Sequence, residues 1–204
     1  SPNIHASMAT WLVARGNKQE ADAMIERKEY LQRLYDWKDE QVIKVVTGIR
    51  RCGKSTLLKQ YQEKLLQSGI LPEQIISINF EDLEYEELLD YKALYRYIKE
   101  PLCEGKMTYI FLDEIQKVDS FEKAVDSIYI KDMTDIYIIG SNAYMLSGDL
   151  ATLLTGRYVE ISMLPFSFRD YYALTAPELS PDAAFADYMR YGGFPYLSTM
   201  KKTQ

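Results

Sequence analysis

Apolar residues along the chain keep two rhythms, and each segment is assigned by the one it follows. From Glu26 to Trp37 the positions Tyr30, Leu31, Leu34 and Trp37 recur at helical spacing, which predicts an amphipathic helix leading into the core. Val42-Ile43-Lys44-Val45-Val46-Thr47 is a β-branched run closed by Gly48, the pattern of a buried strand. Leu57, Leu58, Tyr61, Leu65 and Leu66 then share one helical face, and Gly69 with Pro72 ends that helix. Ile75 to Phe80 predicts a second strand. An acidic stretch, Glu81 to Asp90, leads to a helical pattern through Ile98 that Pro101 stops. Tyr109-Ile110-Phe111-Leu112 is apolar without interruption, as in a strand covered on both faces of a parallel sheet.

Asp119-x-x-Glu122 has the spacing of a capping box, and Phe121, Ala124, Val125 and Ile128 follow at i, i+3, i+4 and i+7. Ile136 to Ile139 and Tyr158 to Met163 predict the fourth and fifth strands. Phe168, Tyr171, Tyr172 and Leu174 read as helical, Pro177 and Pro181 mark a loop, and Ala183 to Tyr191 predicts a last helix. Five strands alternating with helices imply an α/β sandwich of three layers around a parallel sheet with right-handed crossovers. The expected organisation is a core over residues 24–164 and, over 165–204, a small helical lid or the start of a truncated C-terminal region. Residues 1–23 show no periodicity, and Met24 reads like a natural beginning, so 1–23 are expected to be an added or mis-joined segment.

Composition narrows the function without naming it. With 204 residues, 47% hydrophobic and 26% charged, the chain fits one ample core. A net charge of −6 argues against a broad nucleic-acid surface but leaves room for a local basic patch. Two cysteines, Cys52 and Cys103, and one histidine, His5, exclude a zinc site or disulfide framework. No run approaches the roughly 18 apolar residues of a membrane span, and no secretory leader is visible; the expected location is cytoplasmic.

The chemistry concentrates in Gly48-Ile49-Arg50-Arg51-Cys52-Gly53-Lys54-Ser55, a full match to Gly-x-x-x-x-Gly-Lys-Ser/Thr between a predicted strand and a predicted helix. The glycines let the backbone bend around a phosphate, and the amides and helix N-terminus supply positive potential. Lys54 is expected to reach the β- and γ-phosphates and Ser55 to ligate Mg²⁺, with Thr56 ending the nucleotide-contacting stretch. At the tip of the third strand Asp113 is the second candidate for Mg²⁺, and Glu114 the candidate general base for an attacking water.

Ser141 and Asn142, after the fourth strand, are candidates to contact the γ-phosphate or orient the water, or else form an ordinary turn. Arg157 is a candidate arginine finger for a neighbouring subunit's nucleotide, or a structural arginine. Arg50 and Arg51 are candidates to screen phosphate charge or pair with Asp82 and Glu84, or else are surface-solvated arginines. Cys52 lies near a helix N-terminus, where thiol pKa values fall, yet reads better as a small loop residue than as a redox sensor.

These motifs, with Phe-Leu-Asp-Glu-Ile-Gln at 111–116, Gly-Ser-Asn-Ala at 140–143 and Leu-x-Gly-Arg-Tyr at 154–158, resemble a prokaryotic AAA-type P-loop ATPase family. Leu164-Pro165-Phe166-Ser167-Phe168 and Tyr191-Gly192-Gly193-Phe194-Pro195 resemble its later signposts. The resemblance implies strand order 5-1-4-3-2, Mg-ATP as ligand, Asp113 and Glu114 as the second acid box and Asn142 as sensor. It also implies a following nuclease-like domain, so that this polypeptide would be one piece of a longer protein. Protein or DNA partners would then act through the missing part. Arg190 is the nearest candidate for a lid arginine.

ATP hydrolysis, in a candidate homo-oligomer, is the leading expectation; an ATP-dependent switch or scaffold with negligible turnover is the alternative. No Asn-Lys-x-Asp or Asp-x-x-Gly follows the loop, which argues against a GTPase, and the 164–204 stretch lacks the arginine-rich lid of a small-molecule kinase.

Overall fold

A computed structural model describes residues 26–102, 105–140, 154, 156–175 and 179–192. In chain order the elements are α1 (Lys28–Asp36), β1 (Ile43–Gly48), α2 (Lys54–Gln67), β2 (Ile75–Asn79), α3 (Tyr91–Lys99), β3 (Thr108–Asp113), α4 (Phe121–Tyr129), β4 (Thr134–Ile139), β5 (Tyr158–Met163), α5 (Phe168–Thr175) and α6 (Pro181–Tyr191), with short 3₁₀ turns between them. All five strands run parallel, in the order β2-β3-β4-β1-β5, the expected 5-1-4-3-2 read from the other edge.

The β-branched and apolar runs are strands because both of their faces are covered. Ile43, Val45, Ile110, Leu112, Ile136 and Ile138 point into a core beneath α3 and α4. Val46, Phe111, Tyr137, Ile139 and Ile161 point the other way, beneath α1 and α2. Parallel pairing sends every strand's C-terminal end to one edge of the sheet, where open α/β sheets bind ligands. β4 separates β1 from β3, so the ends of those two strands stand about 10 Å apart across it.

The opposite edge holds a buried polar network that periodicity does not announce. Lys44, in the middle of the expected apolar strand, has no exposed side-chain surface. Its Nζ donates to Asp135 Oδ1 at 2.6 Å and to the Glu40 carbonyl at 2.8 Å. Asp135 Oδ2 accepts from the Asp39 amide and the Tyr137 hydroxyl, both at 2.9 Å, and Tyr137 shares a 3.0 Å hydroxyl contact with Tyr61 of α2. Burial raises the Asp135 carboxyl and lowers the Lys44 ammonium, while their mutual attraction opposes both shifts. The donors crowded on Asp135 favour the ionised pair.

One expectation is corrected. The predicted capping box at Asp119 is not formed: the N-cap of α4 is Ser120, in the left-handed region (φ 53°) with no side-chain cap bond. Asp119 instead gives its amide to the Leu89 carbonyl and pairs with Asp90, tying the starts of α3 and α4 together. The acidic stretch carries local structure of its own. Asp82 accepts from the Glu84 amide to start a 3₁₀ turn, and Asp90 caps α3 through the amides of Lys92 and Ala93.

Replacing one member of a buried ion pair strands the other. Lys44→Met is therefore expected to lower unfolding free energy by about 3 kcal/mol in urea titrations. The double variant Lys44→Met/Asp135→Asn, which keeps an acceptor for the Asp39 amide, is expected to recover part of that loss.

Candidate functional site

The loop between β1 and α2 takes its shape from its glycines. Gly48 has φ 153°, and a Cβ there would lie 2.5 Å from the Met163 carbonyl oxygen and 2.9 Å from Cys52 Sγ. The end of β5 thus presses on the loop backbone, and any side chain at 48 would force the two apart. Gly53, at φ 98°, is the left-handed residue from which α2 departs. The first amides of that helix have no partner four residues back, and their potential suits a phosphate.

Lys54 opens α2 and is buried, its Nζ donating to the carbonyls of Gly48 (2.8 Å) and Ile49 (3.0 Å). The ammonium is held across the loop by the loop's own backbone. Ser55 stands by the Asp113 carboxylate, and its hydroxyl favours the ionised form. Strand register places Asp113 at the tip of β3, opposite Ile139 of β4, as Val46 of β1 is opposite the same residue from the other side. The two motifs, far apart in sequence, therefore converge on one edge.

Oδ1 of Asp113 is buried and has no hydrogen-bond partner among the described residues. Burial is the chief force holding this carboxyl above its ordinary pKa; Ser55 opposes the shift, and the charges of Glu114 and Glu81 add to it. Ser55 and Asp113 also line a cavity of about 230 Å³ with Leu58, Gln62, Asn79 and Tyr85. An orphaned carboxylate oxygen beside a hydroxyl, with room for several waters, fits a hard divalent cation such as Mg²⁺. Among the described residues no group of three or more His, Cys, Asp or Glu side chains could hold a metal alone.

Glu114 is held in the left-handed region (φ 56°, ψ 41°), a conformation that costs a non-glycine residue roughly 1 kcal/mol. Its Oε2 accepts a hydrogen bond from the Gln116 side-chain amide. Gln116 was not among the expected site residues, because no periodicity marks a contact made by a left-handed turn. Arg27 was also missed. It donates to the Leu164 carbonyl at 3.2 and 3.3 Å and lies over the rings of Tyr30 and Phe166, binding the approach to α1 against the segment that leaves β5.

Cys52 is fully buried, and burial pushes its thiol up rather than down, so the small-loop-residue reading stands over the sensor. Arg50, exposed, pairs at 3.8 Å with Glu81 rather than with Asp82 or Glu84, a contact of little energetic weight. Arg51, also exposed, takes a left-handed conformation (φ 67°). Thr56 is half-buried on the first turn of α2. Ser141 and Asn142 lie outside the described residues.

Arg157 stands at the other edge of the sheet. Its carbonyl accepts from the Ile43 amide, at the start of β1, and its guanidinium meets Asp126 at 3.9 Å and the Tyr129 ring. Five strand steps of β1, about 17 Å, separate that level from Gly48, so Arg157 stands far from the loop of its own chain.

The sequence matches the profile of the AAA domain family over residues 40–172. The chain belongs to that family. An uncharacterized protein of Haemophilus influenzae is 46% identical over 178 residues, covering 85% of this chain and 44% of the relative. The uncharacterized protein MJ1544 of Methanocaldococcus jannaschii is 30% identical over 168 residues, covering 76% of this chain and 36% of its own length. The chain thus spans less than half the length of these curated relatives.

Among solved structures the fold is similar to the Walker-type ATPase PABY2304 of Pyrococcus abyssi, with TM-score 0.56 and 17% identity over 84% of this chain and 65% of that one. It is also similar to the Aeropyrum pernix ORC1 protein, solved in complex with DNA, with TM-score 0.51 and 13% identity over 76% of this chain and 49% of that one. At these identities the likeness is one of fold. Family and fold together make this an AAA-type P-loop nucleotide-binding domain. Among the described residues no helix is long and apolar enough to cross a membrane.

A carboxyl whose folded pKa is raised binds its proton more tightly in the folded state. Its ionisation therefore costs stability as pH rises from about 3.9, the unfolded value, through the folded one, and the penalty is complete above both. Asp113→Asn is accordingly expected to raise the melting temperature of the nucleotide-free protein at pH 7, and to abolish the Mg²⁺-dependent part of the stabilisation by ATP. Differential scanning fluorimetry with and without Mg²⁺ reads both effects.

Proposed function

We propose that this domain binds Mg-ATP and hydrolyses it to ADP and phosphate. The observation that carries the reading is the pairing, at one sheet edge, of a glycine-shaped loop closed by Lys54 with the Ser55–Asp113 contact and its buried, unpartnered carboxylate oxygen. Lys54 would exchange its two carbonyl contacts for the terminal phosphates, a charge-assisted interaction stronger than the ones it leaves. The loop amides would hold the β-phosphate, and Ser55 and Asp113 would hold the ion. Mg²⁺, when bound, offsets negative charge on the phosphate oxygens. Glu114, across the edge from the loop, would orient the attacking water and take its proton, and Asn142 would contact the γ-phosphate.

ATP uptake is expected to reach the helical segment through Leu164, which Arg27 and Tyr30 hold on one side of the loop. α5 and α6 pack there through Phe168, Tyr171, Phe185 and Tyr188, and they would act as the lid. What turnover drives is expected to depend on parts of the longer protein, including the nuclease-like domain that the resemblance implies.

Lys54→Ala is expected to lose ATP binding. Glu114→Gln should keep it and slow single-turnover hydrolysis by about 100-fold or more. Retained binding in Lys54→Ala would sink the proposal. The second reading, a nucleotide switch with negligible turnover, is favoured by one observation: the Glu114 carboxylate is already engaged by Gln116. Release of phosphate that is slow and indifferent to Glu114→Gln would select the switch.

Arg157 is proposed to act on a neighbouring subunit, since it stands far from the loop of its own chain. Mixing Arg157→Ala with Lys54→Ala is then expected to restore hydrolysis that neither variant shows alone, because each supplies what the other lacks. A mixture no more active than its parts would remove Arg157 from the reaction.

A further inference from the structure

The helical layer facing away from α2 carries a basic stripe that the nucleotide site does not use. α3 turns Leu94 and Ile98 into the core, and its outer face presents Lys92, Arg96 and Lys99, three exposed cations at i, i+4 and i+7. Lys123, exposed on the first turn of α4, extends the stripe sideways. Its Nζ lies 5.1 Å from the centre of the Tyr91 ring, and Lys92 Nζ lies 5.7 Å from the same ring. Lys99 Nζ is similarly placed over Tyr95 at 5.9 Å. Both rings are packed against the core, so they hold the ammoniums over a fixed platform and reduce the entropy lost when an anion binds.

Among the described residues none of these four cations forms an ion pair. Arg27, Lys38, Lys44, Arg50, Lys64 and Arg157 each have a carboxylate partner. Four like charges drawn together on a protein of net charge −6 repel one another, and a bound polyanion removes that cost. Asp90 before Lys92, Glu100 after Lys99, and Asp119 and Glu122 beside Lys123 bound the patch along the chain.

The geometry selects among polyanions. Lys92 to Lys99 is a single row about 10.5 Å long, which follows one phosphodiester strand, whereas gripping a duplex takes contacts on both sides of a groove about 12 Å wide. The row itself carries no exposed aliphatic side chain, and its Tyr91 and Tyr95 rings are half-buried beneath the ammoniums, so it lacks the wedge a membrane surface needs. We infer that α3 and α4 form a docking surface for a single-stranded nucleic acid, whose phosphates lie on Lys92, Arg96, Lys99 and Lys123. The Asp90–Asp119 bridge fixes the two helices at the edge that also carries the P-loop, and Lys123 follows Glu114 by only nine residues. The surface does not depend on whether ATP is hydrolysed, and binding can be read without nucleotide.

Fluorescence anisotropy of a labelled oligo-dT of about 30 nucleotides, titrated with the full chain, tests this. Neutralising four phosphates predicts a log-log salt slope of about −2.8, or roughly 50-fold weaker binding at 200 mM than at 50 mM salt. In Lys92→Gln/Arg96→Gln/Lys99→Gln the slope is expected to fall to about −0.7, with melting temperature and ATP binding unchanged. Should the triple variant fail to fold, Lys123→Gln alone is expected to reduce the slope by about 0.7. No binding at 50 mM salt, or a slope unmoved by both variants, overturns the inference. So does equal competition by poly-glutamate or by phosphatidylserine vesicles at matched charge, which would assign the patch to an acidic protein or to a membrane surface.

Discussion

The site depends on one constraint, the parallel pairing of β1 and β3 with β4 between them. Parallel strands buried on both faces must all finish at the same edge. A loop that follows β1 and an acid that ends β3 are therefore neighbours however far apart they lie in the chain. The loop is then pinned from the side by β5, whose last carbonyl oxygen leaves no room for a Cβ on Gly48. Remove the contact and the loop loses the wall against which it bends.

The two edges of the sheet use buried charge in opposite ways. At the edge away from the nucleotide, Lys44 and Asp135 satisfy each other and collect further donors from Asp39 and Tyr137, so the network joins β1, β4 and α2 into one body. At the nucleotide edge Asp113 keeps an oxygen buried and unpartnered. An unsatisfied carboxylate is a liability in the empty protein and an asset once a cation arrives. Stability is thus concentrated where nothing binds and held back where something should.

Glu114 shows the same economy on the scale of one residue. Its left-handed backbone aims the side chain away from the strand direction, and Gln116 holds the carboxylate there. A group so placed is preorganised if the contact orients it toward water and restrained if the contact must break first; the same geometry thus underlies both the hydrolysis reading and the switch reading. Family membership does not choose between them, because the curated relatives are uncharacterized and the similar structures share the fold alone.

Much of this was legible in the residues themselves. β-branched runs from Val42 and Ile75, and the unbroken apolar run from Tyr109, became strands because burial on both faces rewards such runs. The Gly-x-x-x-x-Gly-Lys-Ser motif placed the loop because glycine geometry and helix polarity are local properties of eight residues. Contacts between side chains that meet only after folding were not legible. Lys44 sits inside a strand read from its β-branched run, its partner Asp135 lies just before the expected fourth strand, and the Asp119 capping box lost to a bridge with Asp90. Arg50 found Glu81 rather than Asp82 or Glu84, and the thiol of Cys52 rose instead of falling because the loop turned it inward. Local propensity acts through a few neighbouring residues and so can be read in order along the chain. Pairing, burial and charge compensation depend on distances in space, and only the closed sheet decides those.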